Sequence, residues 1–196
     1  MPLQPKASAA MPLVALATPE FDLDIALAYA TPDNITGKPI YDRAEAQLHP
    51  DAAAALRRAC TLAAPLGLRF RIFDAFRPVE AQWRLWECFP DPEFVADPRL
   101  GSCHSRGVAV DLTLIDAASG EALDMGTPFD DFTAQSHHGR CDLPVAVQRN
   151  RLLLLGLMTA AGWDWIHSEW WHYQLFEPRR YPLLADAAAP LQLMAG

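Results

Sequence analysis

Apolar and polar positions along the chain recur with periods that mark out its elements. From Phe21 to Ala30 every second residue is apolar (Phe21, Leu23, Ile25, Leu27, Tyr29), which predicts a strand, followed by a loop through Asn34, Gly37 and Pro39. Pro50 suits the first position of a helix and Asp51 its positive end; Ala52, Leu56, Ala59, Cys60 and Ala63 continue that helix toward Gly67. Leu68 to Asp74 alternates again, with Leu68, Phe70 and Ile72 on one face, and Pro78 opens a helix through Trp83 and Trp86. Val108 to Ile115 sets Val110, Leu112 and Leu114 against Ala109, Asp111 and Thr113. Val145 to Ala161 reads as a helix with Val147, Leu152, Leu155 and Met158 inward and Gly162 past its end. Trp163 and Trp165 then lead into a run rich in strand formers, Trp-Trp-His-Tyr-Gln-Leu-Phe.

Two connections are long, residues 89–103 and 116–144, and loops of that length in a compact domain are usually functional or disordered. Residues 1–20 form an arm of Ala, Pro and Leu. Ala15-Leu16-Ala17 superficially resembles a signal cleavage site, but Pro2 and Pro12 interrupt the apolar stretch and positive charge is minimal, so a cytoplasmic location is expected, with the periplasm as the alternative. From Pro178 onward the chain is expected to wrap the surface.

Composition narrows the choices. A chain of 196 residues, 51% of them hydrophobic, fits one domain with a core that needs no staples. The 17 prolines exceed an average usage of about 5% and suit long ordered loops. A net charge of -8 argues against a nucleic-acid partner, and no run of 18 apolar residues exists to span a membrane. A homo-oligomer stays open. Cys60, Cys88, Cys103 and Cys141 show no metal-type spacing, and four cysteines allow three full pairings; free thiols are the expectation inside a cell.

The chemistry concentrates in two stretches, His104 to Asp111 and Glu169 to His172. Together they hold two imidazoles and two carboxylates. A catalytic zinc site needs three such ligands, a free corner for water, and a carboxylate base beside it. His104, Asp111 and His172 would supply the ligands, with Gly107 letting a loop carry His104 back over the start of the strand. Residues three apart on a regular strand face opposite sides, so Glu169 can join His172 only if it precedes the strand or sits at a bulge. Taken singly, each stretch also has a bland reading: a chance His and Asp, or an aromatic core strand with a polar pair. Arg77, after a strand end and before a helix, is either a surface arginine or a cation aimed at the sheet's edge. Adjacent His137 and His138 are read as loop structure or substrate contacts, since three ligands are already supplied.

These residues sit in a longer set of motifs. Tyr29-Ala30-Thr31, Asp33-Asn34, Thr36-Gly37-Lys38-Pro39, Asp74-Ala75-Phe76-Arg77-Pro78, His104-Ser105-Arg106-Gly107, Asp111-Leu112-Thr113-Leu114, Met125-Gly126, Phe129-Asp130, Ser136-His137-His138 and Glu169-Trp170-Trp171-His172-Tyr173 follow one another in order. In this the chain resembles the zinc-dependent D-alanyl-D-alanine dipeptidases of the VanX type, within the wider group of zinc DD-carboxypeptidases and related metallopeptidases, over roughly residues 21 to 178. The resemblance implies one Zn2+ per chain on His104, Asp111 and His172, Glu169 as base, and Arg77 as oxyanion stabiliser. It further implies that Tyr29 and Asp130 hold a substrate ammonium and Ser102 helps hold a carboxylate. The family usually carries serine where this chain has Cys103, and it can carry cysteines near Cys88 and Cys141. Elements and resemblance together imply an α+β fold, a central mainly antiparallel sheet flanked by helices, with the arm 1–20 followed by one domain, 21–196. The implied activity is hydrolysis of a free D,D-dipeptide held by both termini. A carboxypeptidase or endopeptidase acting on peptidoglycan, and a non-catalytic zinc module of the same fold, are the alternatives.

Overall fold

Leu13 and Leu16 are buried on either side of a two-residue strand, β1 (Val14–Ala15), in the computed structural model, which describes residues 13–194. The part of the expected arm that is described therefore belongs to the fold; the rest of it, residues 1–12, lies outside the described residues. β2 (Leu23–Ile25) is shorter than the alternation from Phe21 to Ala30 predicts. A 3-10 turn over Ala28–Ala30 ends the alternation and buries Tyr29, and both Ile40 N and Tyr41 N donate to the Tyr29 carbonyl.

β3 (Gln47–Leu48) pairs with β1 and leads into α1 (Pro50–Ala63), which starts and stops as its sequence predicts. His49 Nδ1 accepts from Asp51 N at 3.2 Å, Pro50 fills the first turn, and Gly67 at φ +71° closes the 3-10 extension that follows. β4 (Leu68–Asp74) buries Phe70 and Ile72, and α2 (Val79–Cys88) begins directly after Pro78. β5 (Ala109–Asp116) is buried on both faces along all but its last residue. α3 (Val145–Ala160), β6 (Asp164–Trp165) and β7 (His172–Gln174) complete the set.

The main sheet has strand order β2-β4-β5-β7-β6, antiparallel throughout except for β2 beside β4. α1 and α3 pack on each other, and Ala52, Leu56, Leu154 and Met158 share one core with Phe70, Ile72, Leu112 and Leu114 of the sheet. α3 is rotated from the expected face. Val147 and Met158 point inward, but Leu152 is 65% exposed and Arg151, Leu154 and Leu157 are buried in place of Leu152 and Leu155. The cause is Arg151, whose guanidinium donates to the carbonyls of Met125 (2.7 Å), Gln135 (2.9 Å) and His137 (3.1 Å) and so ties the 116–144 loop to the helix. Beyond Pro178 the chain lies across the sheet end, with Leu184 N donating to Ser105 O and Leu193 fully buried. The four cysteines are free thiols, Cys60 and Cys103 half-buried, Cys88 and Cys141 exposed. No helix among the described residues is long and apolar enough to cross a membrane.

Candidate active site

Strand register assembles the site. In the β5/β7 ladder Asp111 stands opposite His172, so their side chains leave the sheet on the same face, away from Leu112 and Leu114. In the β4/β5 ladder Ile72 pairs with Leu112, but Asp74 rather than Phe73 pairs with Asp111: one extra residue bulges from β4. Simple alternation would turn Asp74 toward the core with Ile72; the bulge re-aims it beside Asp111. Glu169 precedes β7, as its spacing from His172 requires, in a turn where His172 N lies 3.4 Å from Glu169 O.

His104 comes from a 3-10 turn, His104–Arg106, on the other side of the cavity. Ser102 Oγ accepts from His104 N at 3.1 Å, and Gly107 at φ +67° turns the chain into β5. Only glycine fits there: a Cβ would stand 2.8 Å from Leu13 Cδ2 and 3.1 Å from the His49 nitrogen.

His104, Asp111 and His172 are buried, and their ligand atoms lie close enough together to hold a metal ion. His104 Nε2 is 3.2 Å from His172 Nδ1 and 3.3 Å from Asp111 Oδ2, and His172 Nδ1 is 3.0 Å from Asp111 Oδ1. A tetrahedral ion with bonds of ~2.0–2.1 Å holds its donors about 3.3 Å apart, close to this triangle. The outer ring nitrogens are already engaged. His104 Nδ1 donates to the Ala75 carbonyl at 2.7 Å and His172 Nε2 to Gln174 Oε1 at 3.2 Å. Neutral rings thus turn two lone pairs and a carboxylate toward one point, which repel unless a cation sits among them. Burial alone would raise the Asp111 carboxyl, but His104 and His172 hold it well below the usual range. Burial alone would lower His172, yet its bond to Asp111 and the charges of Asp111 and Glu169 raise it. Protons and a metal ion compete for this position, so metal binding releases protons.

Around the donors lies a cavity of about 200 Å³ lined by Arg77, Glu169, Tyr29, Asp130 and Ser102, smaller than the ~300–1,000 Å³ of sites for drug-sized ligands. Burial pushes the Glu169 carboxyl up to about 8, with Asp111 and Asp130 adding to it. Burial, again with Asp111, pushes Asp130 up to about 7. Asp130 takes a left-handed backbone, φ +59°, and accepts from Tyr29 Oη at 3.0 Å; a non-glycine residue held there is strain of the kind that clusters at functional sites. Arg77 is fixed on three sides. Its Nε and Nη2 reach Asp74 Oδ2 at 2.8 and 2.7 Å, Nη1 donates to Gln82 Oε1 at 3.1 Å, and the guanidinium lies 4.8 Å from the centre of the Tyr29 ring. Nη2 also lies 3.6 Å from Asp111 Oδ2, and the second hydrogen of Nη1 is not used by these contacts.

The cavity thus brings together His104, Asp111, His172, Glu169, Arg77, Tyr29, Asp130 and Ser102. It leaves out His137 and His138: His137 packs on His167, and buried His138 packs edge-on against Trp165 at 4.8 Å. Three supporting residues escape a reading by motif. Asp74 anchors Arg77 and also accepts from Tyr41 Oη at 2.8 Å; Gln82 and Gln174 orient Arg77 and His172. Gln174 carried a signal, since two residues along a strand share a face.

Comparison with known proteins fits this geometry. Residues 9–186 match the family described as D-ala-D-ala dipeptidase. The chain is 51% identical over 174 residues to the D-alanyl-D-alanine dipeptidase of Escherichia coli (strain K12), covering 89% of this chain and 90% of that protein. It is 36% identical over 169 residues to the protein of that name from Streptomyces coelicolor, and 33% over 169 residues to that from Enterococcus faecalis, each covering 76% of this chain and 84% of the relative.

Proposed function

We propose that this chain, which belongs to the D-ala-D-ala dipeptidase family, hydrolyses free D-alanyl-D-alanine to two D-alanines at a zinc site on His104, Asp111 and His172. The observation that carries this reading is the convergence of three metal-type donors with a buried carboxyl, Glu169, in one small cavity. Two imidazoles and a carboxylate at tetrahedral spacing suit zinc among the common ions. Bound there, zinc supplies Lewis acidity, bringing the pKa of a water molecule to about 7 and polarising the scissile carbonyl.

The residues of the chain do the rest. Glu169 takes a proton from the attacking water as the oxygen–carbon bond forms, then passes it to the amine nitrogen as the carbon–nitrogen bond breaks. Its elevated pKa brings base and acid forms within reach of neutral pH. Arg77 faces the developing oxyanion, already immobilised by Asp74 and Gln82, so little ordering is left for the moment of reaction. Asp130 and Tyr29 receive the substrate ammonium and the turn at Ser102 its carboxylate. A peptide blocked at its amino end leaves buried Asp130 without its partner, which rejects it.

The test compares D-alanine release from D-Ala-D-Ala with release from an N-acylated tripeptide ending in the same dipeptide. The dipeptidase reading expects turnover of the free dipeptide alone. Cleavage of the blocked peptide instead would make the enzyme a carboxypeptidase and remove the roles given to Tyr29 and Asp130.

A further inference from the structure

Phenylalanines from both long loops meet at the wall of the cavity. Phe94, from the 89–103 loop, and Phe132, from the 116–144 loop, both line the cavity and stack on each other with ring centres 4.9 Å apart and planes 27° from parallel. Phe89, at the end of α2, packs against both, at 6.4 Å from Phe94 and 5.4 Å from Phe132. Each half of this clasp is anchored to the catalytic machinery. Two residues after Phe94, the Ala96 carbonyl accepts from Gln82 Nε2 at 2.7 Å, and the same Gln82 holds Arg77 through its other amide atom. Two residues before Phe132, Asp130 is bonded to Tyr29. Between them the Asp131 carbonyl accepts from Ser136 Oγ at 2.6 Å.

The 89–103 loop runs on to Ser102, where the carboxylate end of the substrate is placed, and the 116–144 loop carries Asp130, where the ammonium end is placed. The Phe94–Phe132 stack, with Phe89 beside it, joins these two loops at the cavity wall. A contact that ties the holder of one terminus to the holder of the other sets the distance between them. We propose that Phe94 and Phe132 are specificity-determining residues that gauge peptide length, holding the two termini subsites one dipeptide apart and closing the space a third residue would need. The proposal rests on the dipeptidase reading and adds to it the residues that enforce it.

The experiment uses the metal-loaded, full-length protein and two unblocked substrates, D-Ala-D-Ala and D-Ala-D-Ala-D-Ala, so that both charged termini are present in each and only length differs. The readout is the ratio of kcat/KM for tripeptide over dipeptide. The wild type is expected to discriminate by roughly 10³-fold or more, because the tripeptide cannot pair both termini in a cavity of this size. The Phe94→Ala/Phe132→Ala variant is expected to raise the ratio at least about tenfold, the scale on which pocket size alone discriminates. The Phe94→Leu/Phe132→Leu variant, which keeps an apolar closure, leaves the ratio near that of the wild type. If the double alanine variant does not fold, as judged by its melting curve, Phe132→Ala alone carries the test. An unchanged ratio in a folded alanine variant overturns the gauge, and so does comparable cleavage of both peptides by the wild type. Failure of the wild type to cut the dipeptide overturns instead the reading on which the gauge rests.

Discussion

Replacing Arg77 separates what it does for folding from what it does for turnover. Its guanidinium is the cationic partner of Asp74, a carboxylate with no exposed surface whose burial already raises its pKa. Arg77→Ala leaves that carboxylate with the Tyr41 hydroxyl and His104 Nδ1 at 3.6 Å, and strips Gln82 Oε1 of its donor. Removing one partner of a buried pair costs about 3–5 kcal/mol. At roughly 2–4 °C per kcal/mol for a chain of this size, the melting temperature should fall by about 6–20 °C. Arg77→Lys keeps a positive charge for Asp74 but cannot reach Asp74, Gln82 and a substrate oxygen together, so its stability loss should be the smaller of the two. Turnover should not follow that order. Loss of an oxyanion donor typically costs ~10²–10³ in kcat, or about 2.7–4 kcal/mol, and both variants lose the forked geometry. On the role proposed for Arg77 the contact is made in the transition state, so kcat and kcat/KM should fall together with KM little changed. Thermal melts followed by circular dichroism, beside steady-state D-alanine release, give both numbers. Wild-type kcat in Arg77→Lys, or an unchanged melting temperature in Arg77→Ala, would refute the reasoning.

Glu169→Gln should keep its zinc by elemental analysis and lose ~10²–10⁴ in kcat, since the proton carrier is gone while all three ligands remain; loss of zinc would instead mean that Glu169 belongs to the ligand set. Asp130, raised to about 7, accepts an ammonium only when ionised, so KM for the dipeptide should rise as pH falls through about 7, and Asp130→Asn should show a higher KM without that limb. The sign for stability is opposite. A folded pKa above the unfolded value of about 3.9 makes ionisation a cost that is absent in acid and complete above about pH 7, so Asp130→Asn should gain melting temperature relative to wild type at about pH 8 but not at about pH 4. A constant difference across that range would refute the assignment of the shift to Asp130. Gln174→Ala frees the outer nitrogen of His172 and should weaken zinc binding by roughly 10–100-fold in competition with a chromophoric chelator; equal affinity would mean the bond does not orient the ligand.

Period and punctuation made the scaffold legible. α1 begins at Pro50 and β4 runs from Leu68 to Asp74 because a proline at the first turn and strict alternation are local signals that tertiary packing left intact. The convergence of His104, Asp111 and His172 was legible from ligand chemistry, and the offset of Glu169 from β7 followed from strand geometry alone. What escaped depends on partners distant in sequence. The bulge that swings Asp74 beside Asp111 shows only in its pairing with β5. Tyr29 continues the alternation of β2 yet sits in a 3-10 turn, where Asp130, 101 residues away, receives its hydroxyl. α3 turned away from its expected face because a buried arginine, normally a surface residue, gathers the carbonyls of a loop that periodicity cannot describe.

The most direct test of the account is to strip the purified protein with a chelator, titrate zinc back, and follow D-alanine release from D-Ala-D-Ala. Activity should be lost on stripping and return in proportion to added zinc, saturating at one ion per chain. Full turnover in the stripped protein, or none after one zinc per chain has bound, would contradict it.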